Sequence, residues 1–366
     1  MTKNQAAWIT EAKGKPLKVD EAPTPKPGPG EVVIKNAAVA INPVDWKIQE
    51  YGLFLTQFPN ILGTDVAGTI EEVGEGVTSL KKGQRVIGQL LITMVSRLGP
   101  AITKLTCLIN SSHTAGIATR DIEHSAFQLY SKTFEILAAP IPDSISFEEG
   151  AVLPLAISTA AAGLYQKTHL GLPFPSTNPQ PTNQTLLVWG GSSSVGATAV
   201  QLAVASGLKV VATASTRNHD FVKSLGATKV VDYSSSSVVD DILAAIKEVG
   251  GSFAGVYDAI SEPGSLKHIG AVTDKLGVTP VVVVLPPPES LTKTVESKQV
   301  AAPTIALQHK EVAHAVWGKF VPEGLASGQF KAKPDPLVVG KGLEKIQDAL
   351  DKQHAGVSAQ KVVVSL

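Results

Sequence analysis

Cysteine is nearly absent. Cys107 stands alone in 366 residues, which excludes an internal disulfide framework and any zinc site built from several cysteines. An excess of charge of either sign is missing too: Lys+Arg and Asp+Glu number 32 each. Electrostatics therefore gives no reason to expect nucleic acid or an acidic membrane surface as a partner. No apolar run approaches the roughly 20 residues of a membrane span, and the opening MTKNQAAWITEAKGK has no apolar signal core. The expectation is a soluble, cytoplasmic protein with no membrane role. With 43% hydrophobic and 17% charged residues, the chain is long enough for two domains with ordinary cores.

The stretch around which the rest is organised is 185–207, TLLVWGGSSSVGATAVQLAVASG. Its first five residues read as a strand. A Gly/Ser turn follows, then an apolar helix with Val195, Ala199, Leu202 and Ala203 spaced three or four apart. A strand that turns on glycine into a helix is how a doubly wound α/β domain holds a dinucleotide, because the helix N-terminus offers free N–H groups and a favourable dipole to the pyrophosphate. The G-x-G-x-x-G fingerprint is imperfect: Gly191 and Gly196 take the outer positions and Ser193 the middle one. The hydroxyls of Ser192, Ser193 and Ser194 suit phosphate.

A second apolar run at 208–214 reads as the next parallel strand. Sites selective for NAD usually place an acid near its end to bind the ribose 2′-OH. Here Ser215, Thr216, Arg217 and Asn218 follow, with no acid before Asp220. Small hydroxyls and an arginine suit a 2′-phosphate, so the cofactor expected is NADPH. Before residue 88, short strand-like runs alternate with Gly/Pro turns: 31–35, 37–46 with its turn at Asn42-Pro43, 62–76, and 83–88. That pattern indicates a compact β domain.

Five segments carry a family resemblance: INPVD at 41–45, LGTDVAGTIEEVG at 62–74, KGQRVIG at 82–88, GAVLPLAISTA at 150–160 and GGSSSVG at 190–196. In this order they resemble the medium-chain dehydrogenase/reductase superfamily, in its zinc-independent, quinone-oxidoreductase-like branch. The chain is most similar to the fungal trans-acting enoyl reductases of the lovastatin enoyl reductase group, which partner polyketide synthases. The Pro-rich connector at 171–181 adds to that narrower likeness. The resemblance implies an α/β fold of two parts: a GroES-like β domain from residues 1–142 and 326–366, and a Rossmann domain with a doubly wound parallel sheet from 143–325. Strand-like runs at 337–339 and 361–365 flank a helical run at 343–353 in the returning C-terminal part.

Metal-dependent relatives need a cysteine, a histidine and an adjacent carboxylate or second cysteine for catalytic zinc. By resemblance the cysteine position is Asn42 and the histidine position Thr64, so no metal is expected. His113, His124, His169 and His219 fall in loop-like stretches and read as surface residues. Hydride transfer must then rely on the cofactor, with the protein supplying orientation and electrostatics. The resemblance places Asn42 and Thr159 near the nicotinamide. It places Lys47 near the cofactor ribose, where a cation can assist protonation; these three are the catalytic candidates. Val44, Asp45 and Trp46 share the Lys47 turn as cofactor contacts. Ser192 to Val195 are assigned to the pyrophosphate and Ser215 to Asn218 to the 2′-phosphate end. Tyr233 is assigned to the adenosine, the backbone of Val284 and Leu285 to the carboxamide, and Ser358 and Ala359 to the returning segment.

Residues 89–123 interrupt the family pattern before a strand-like run at 125–130, and read either as a lid or as an intron carried into the protein. The reading reached is NADPH-dependent reduction of an activated C=C bond in an enone or acyl thioester, with a polyketide synthase as partner. Quinone or aldehyde reduction, and a non-catalytic NADPH- or partner-binding protein, stay open as alternatives.

Overall fold

The computed structural model describes residues 3–55, 57–91, 121–277, 279–287 and 297–366. The chain divides into two units. The first comprises Met1–Pro154, Pro336–Val357 and Lys361–Leu366, and the second Leu155–Asp335 and Ser358–Gln360. Cys107 and most of the segment at 89–123 lie outside the described residues.

In the first unit, the strand Glu31–Ala40 is buried along nearly its whole length, as befits the centre of a sheet. Asp65–Val73 pairs antiparallel along it, and the returning Gln360–Ser365 pairs antiparallel at its C-terminal half. The described order continues outward through Arg85–Gln89 to Ala138–Pro140, and on the other side to Asp335–Lys341; Tyr130–Phe134 pairs with the N-terminal half of Glu31–Ala40. A smaller sheet sets Gln5–Ile9 between Lys18–Glu21 and Asn60–Ile61. Ile9, Ile34, Ile41, Leu62, Val66, Phe127 and Val364 form the core beneath, all essentially without exposed surface. The expected strand at 125–130 starts only at Tyr130. Phe127 turns inward instead, its N–H donating to Leu62 O and its carbonyl accepting from Ala7 N.

His124, expected on the surface, is buried. Its ring lies 2.9 Å from Glu31 Oε1 and 3.4 Å from Asp121 Oδ2, and Lys132 Nζ lies 2.8 Å from Asp121 and 3.0 Å from Glu123. Burial pushes the imidazole pKa down, but the hydrogen bonds to Asp121 and Glu31 outweigh it and raise it overall. The ring is thus part of a charge network that ties Asp121–His124 to the sheet.

In the second unit a parallel sheet, numbered along the chain, contains β1 (Gln184–Trp189), β2 (Lys209–Ala214), β3 (Lys229–Asp232), β4 (Ser252–Asp258), β5 (Val281–Val283) and β6 (Ser297–Gln299). The order is β3-β2-β1-β4-β5-β6, the doubly wound arrangement with its crossover between β1 and β4. The inner strands are mostly apolar, as expected of a parallel sheet covered on both faces: β2 is buried from Val210 to Ala214 and β1 from Thr185 to Trp189. No helix among the described residues is long and apolar enough to cross a membrane.

Candidate functional site

At the end of β1 the chain turns through Gly190 into the helix Ser194–Ala205. Gly190 has φ of 79°, a left-handed conformation that glycine adopts without steric cost. The turn is fastened to β2: Gly190 N donates to Thr213 Oγ1 at 3.0 Å and Gly191 N to Thr213 O at 2.8 Å. Ser193 caps the helix, its hydroxyl accepting from Gly196 N at 3.0 Å. Gly196 packs directly on the turn, where a Cβ would stand 2.1 Å from Gly190 O. Ser192, Ser193, Ser194 and Val195 are half-buried at this helix start, the end at which the helix dipole favours an anion. A glycine at which any Cβ would strike the turn, and a 12-residue helix starting from that turn, fit a pyrophosphate.

The end of β2 supplies the next group. Asn218 Nδ2 donates to Ser215 Oγ at 3.1 Å and to Ser358 Oγ at 3.2 Å. Two expected cofactor segments, 140 positions apart, are thereby joined. Arg217 is exposed in the turn Thr216–Asn218. Thr216 Oγ1 donates to Asp232 Oδ2 at 2.6 Å. The Asp232 carboxyl is held down at about 2 by that bond and by Ser234, so it is an anion at neutral pH. Tyr233 follows it, 46% exposed. Ala359 takes a left-handed φ of 50° beside Ser358.

Thr159 lies on the helix Pro154–Tyr165. Its hydroxyl donates back to Leu155 O at 2.7 Å, and its carbonyl accepts from Tyr257 Oη at 2.7 Å. The hydroxyl's proton is engaged, which leaves its oxygen as an acceptor. Val284 and Leu285 lie beyond the strand they were expected to end: β5 stops at Val283, and the Val284 N–H donates to Ser261 Oγ at 2.8 Å.

The first unit holds the INPVD residues. Asn42 lies just beyond the central strand and caps the helix Pro43–Tyr51; Pro43 suits this first helical position because its missing N–H is not needed there. Asn42 N donates to Asp45 Oδ2 at 2.7 Å, and Asn42 Nδ2 donates to Thr64 Oγ1 at 2.9 Å and Asp65 Oδ2 at 2.8 Å. Both amide hydrogens of Asn42 are therefore committed inside a buried cluster. Asp45 has no exposed surface and closes the turn, so its carboxyl is not a solvent-facing ligand. Burial, with Asp65 nearby, pushes that carboxyl up to about 7 against the opposing pull of the Asn42 N–H and Lys361. Lys47, Val44 and Trp46 are half-buried. Lys47 Nζ stands 5.6 Å from the Trp46 ring, which stacks on His354 at 4.2 Å.

Two members of these clusters escape a reading of the sequence: Asp232, and Lys361, whose Nζ donates to Asn42 Oδ1. The only local signal for Lys361 is an ionisable residue opening an apolar strand.

Known proteins place this geometry. The family described as "Alcohol dehydrogenase GroES-like domain" matches residues 28–140, and that described as "Zinc-binding dehydrogenase" matches 194–326. The trans-enoyl reductase himH of Aspergillus japonicus is 44% identical over 99% of this chain and 97% of its own. The dehydrogenase orsE of Emericella nidulans is 38% identical, with both chains covered in full. Among solved structures, an alcohol dehydrogenase superfamily protein from Novosphingobium aromaticivorans superposes with a TM-score of 0.73 at 24% identity, covering 99% of each chain. The dinucleotide turn, the doubly wound sheet and these full-length likenesses agree: the chain belongs to the medium-chain dehydrogenase/reductase family of oxidoreductases, whose members bind nicotinamide cofactors.

Proposed function

We propose that the protein is an NADPH-dependent reductase of an activated C=C bond, in an enone or an enoyl thioester, acting in the cytoplasm on acyl chains delivered by a polyketide synthase. The observation that carries the reading is the full-length relationship to a protein named a trans-enoyl reductase. The absence of an acid between Ala214 and Asp220 supports NADPH as the cofactor.

Bound NADPH supplies the hydride that adds to the alkene β-carbon. The chain's own residues hold and polarise. The Gly190–Val195 turn takes the pyrophosphate, and Ser215, Arg217 and Asn218 take the 2′-phosphate. Thr159 Oγ, its proton already given to Leu155 O, accepts a hydrogen bond from an amide N–H. Lys47 is the cation among the proposed catalytic residues. It stabilises negative charge gathering on the carbonyl oxygen as the double bond is reduced, and solvent or Lys47 returns the proton to the α-carbon.

Turnover of a substrate panel tests the reading. Enones and enoyl thioesters are expected to drive NADPH oxidation faster than quinones or aldehydes of similar size. Faster turnover of quinones or aldehydes contradicts the bond assigned here. Tight NADPH binding without oxidation by any of them points to a binding protein.

A further inference from the structure

Asn42 and Thr64, the positions that correspond to zinc ligands in metal-dependent relatives, do converge, with Asn42 Nδ2 2.9 Å from Thr64 Oγ1. Their chemistry does not fit zinc. A carboxamide and a hydroxyl are neutral and weakly basic, where zinc takes thiolate, imidazole or carboxylate. Asp65 supplies a carboxylate, but a cation already holds it. Lys361 Nζ lies 3.3 Å from Asp65 Oδ2, with side chains 4% and 0% exposed, and the same ammonium donates to Asn42 Oδ1.

Strand order explains how a residue 319 positions away arrives there. Gln360–Ser365 runs antiparallel to Glu31–Ala40 with Val363 opposite Ala40, and Ile41 N donates to Val362 O. The same register carries Lys361 alongside Asn42. On the other flank Asp65 is opposite Ala40, so Asn42 emerges between the ammonium and the carboxylate. The amide then has one favourable orientation. Turned by half a rotation, Nδ2 would face the Lys361 ammonium and Oδ1 the Asp65 carboxylate, and both contacts would repel.

We propose that Lys361 is a tethered cation standing where a metal ion would otherwise be needed, and that it is a positioning residue for Asn42. By holding Asn42 Oδ1 it commits the amide hydrogens to Thr64 and Asp65. Because Asn42 N is bonded to Asp45, it also anchors the start of the helix that carries Val44, Trp46 and Lys47. A divalent ion cannot enter beside it, since two cations a few ångströms apart in a dry interior repel strongly. The inference goes beyond the proposed reaction and stands whichever bond is reduced.

Chemical rescue tests it. Purified wild-type protein is expected to carry no stoichiometric metal, and its melting temperature to be unmoved by 1,10-phenanthroline or added Zn²⁺. Lys361→Ala, which strands Asp65 without its cation, is expected to melt roughly 6–20 °C lower. Propylammonium, the lost part of the side chain, should restore that loss saturably, while tetramethylammonium at equal ionic strength should not, having no N–H to donate. Lys361→Arg should retain more stability than Lys361→Met, although Met keeps the stem's packing. A merely space-filling lysine gives the opposite order and no amine-specific rescue, and either result overturns the proposal. So does one equivalent of zinc in the wild-type protein whose removal lowers the melting temperature. If the alanine variant fails to fold, the Arg-against-Met order and the metal content decide between the two accounts.

Discussion

Gly196→Ala is expected to abolish tight nucleotide binding and to lower the melting temperature. The added methyl carbon would stand 2.1 Å from Gly190 O, a backbone atom in the same turn, and 3.0 Å from Ser193 Oγ. Backbone cannot rotate away as a side-chain tip does, so either the helix start or the Gly190 turn must move. Forcing a methyl into a filled site costs about 1–3 kcal/mol, or roughly 2–12 °C in a domain of this size. Binding suffers further, because displacing the turn moves the N–H groups that would meet the pyrophosphate and breaks the Ser193 cap. NADPH fluorescence titration should show a loss of at least about tenfold, the equivalent of roughly 1.4 kcal/mol. Gly264→Ala is the control: beyond its chain neighbours and its own helix backbone, nothing lies within 4 Å of an added Cβ, and it sits in the helix Pro263–Leu276, where alanine is preferred. Equal affinity of the Gly196→Ala variant and wild type would show that this turn does not hold the cofactor.

Arg217→Ala is expected to weaken NADPH binding by about 10- to 100-fold, the effect of losing a charge-assisted hydrogen bond worth roughly 1.5–3 kcal/mol. NADH affinity should be unchanged. The selectivity of the effect is its main content. Arg217 is exposed, so its removal leaves the fold intact, and only a ligand with a phosphate at that end should notice it. Asp232 sharpens the expectation. Its carboxylate is anionic and tied to Thr216 at 2.6 Å, so the end of β2 has a fixed negative neighbour that a 2′-phosphate must overcome with a cation. A variant that binds NADPH and NADH with the same fractional loss would mean that Arg217 touches the part common to both.

Local periodicity made much of this fold legible and distant pairing hid the rest. The run from Thr185 to Ala205 declares itself: a buried strand, a glycine turn, then apolar spacing of three or four. The expected strand and helix are the observed β1 and Ser194–Ala205. The helix at the C-terminus is equally local, and its α-helical part is Ile346–His354. Val284 shows where periodicity misleads. The valine run continues, but the ladder stops at Val283 because the next N–H turns to Ser261. His124 has one partner close by in Asp121, but Glu31, which draws it into the sheet, lies 93 residues before it. The Lys361–Asn42 contact is the extreme case, made only when the last strand returns beside the central one. Asn42 was expected as a residue near the nicotinamide, and the structure gives its amide two donors already in use.

The most direct measurement of the central claim is isotope transfer from NADPH deuterated at the transferable C4 position to an enoyl thioester, with product analysed by NMR and mass spectrometry. The account predicts one deuterium at the β-carbon and a solvent-derived hydrogen at the α-carbon, so that the reaction repeated in D₂O with unlabelled NADPH places deuterium only at the α-carbon. Deuterium from the cofactor on a former carbonyl carbon, or no transfer despite tight NADPH binding, would contradict it.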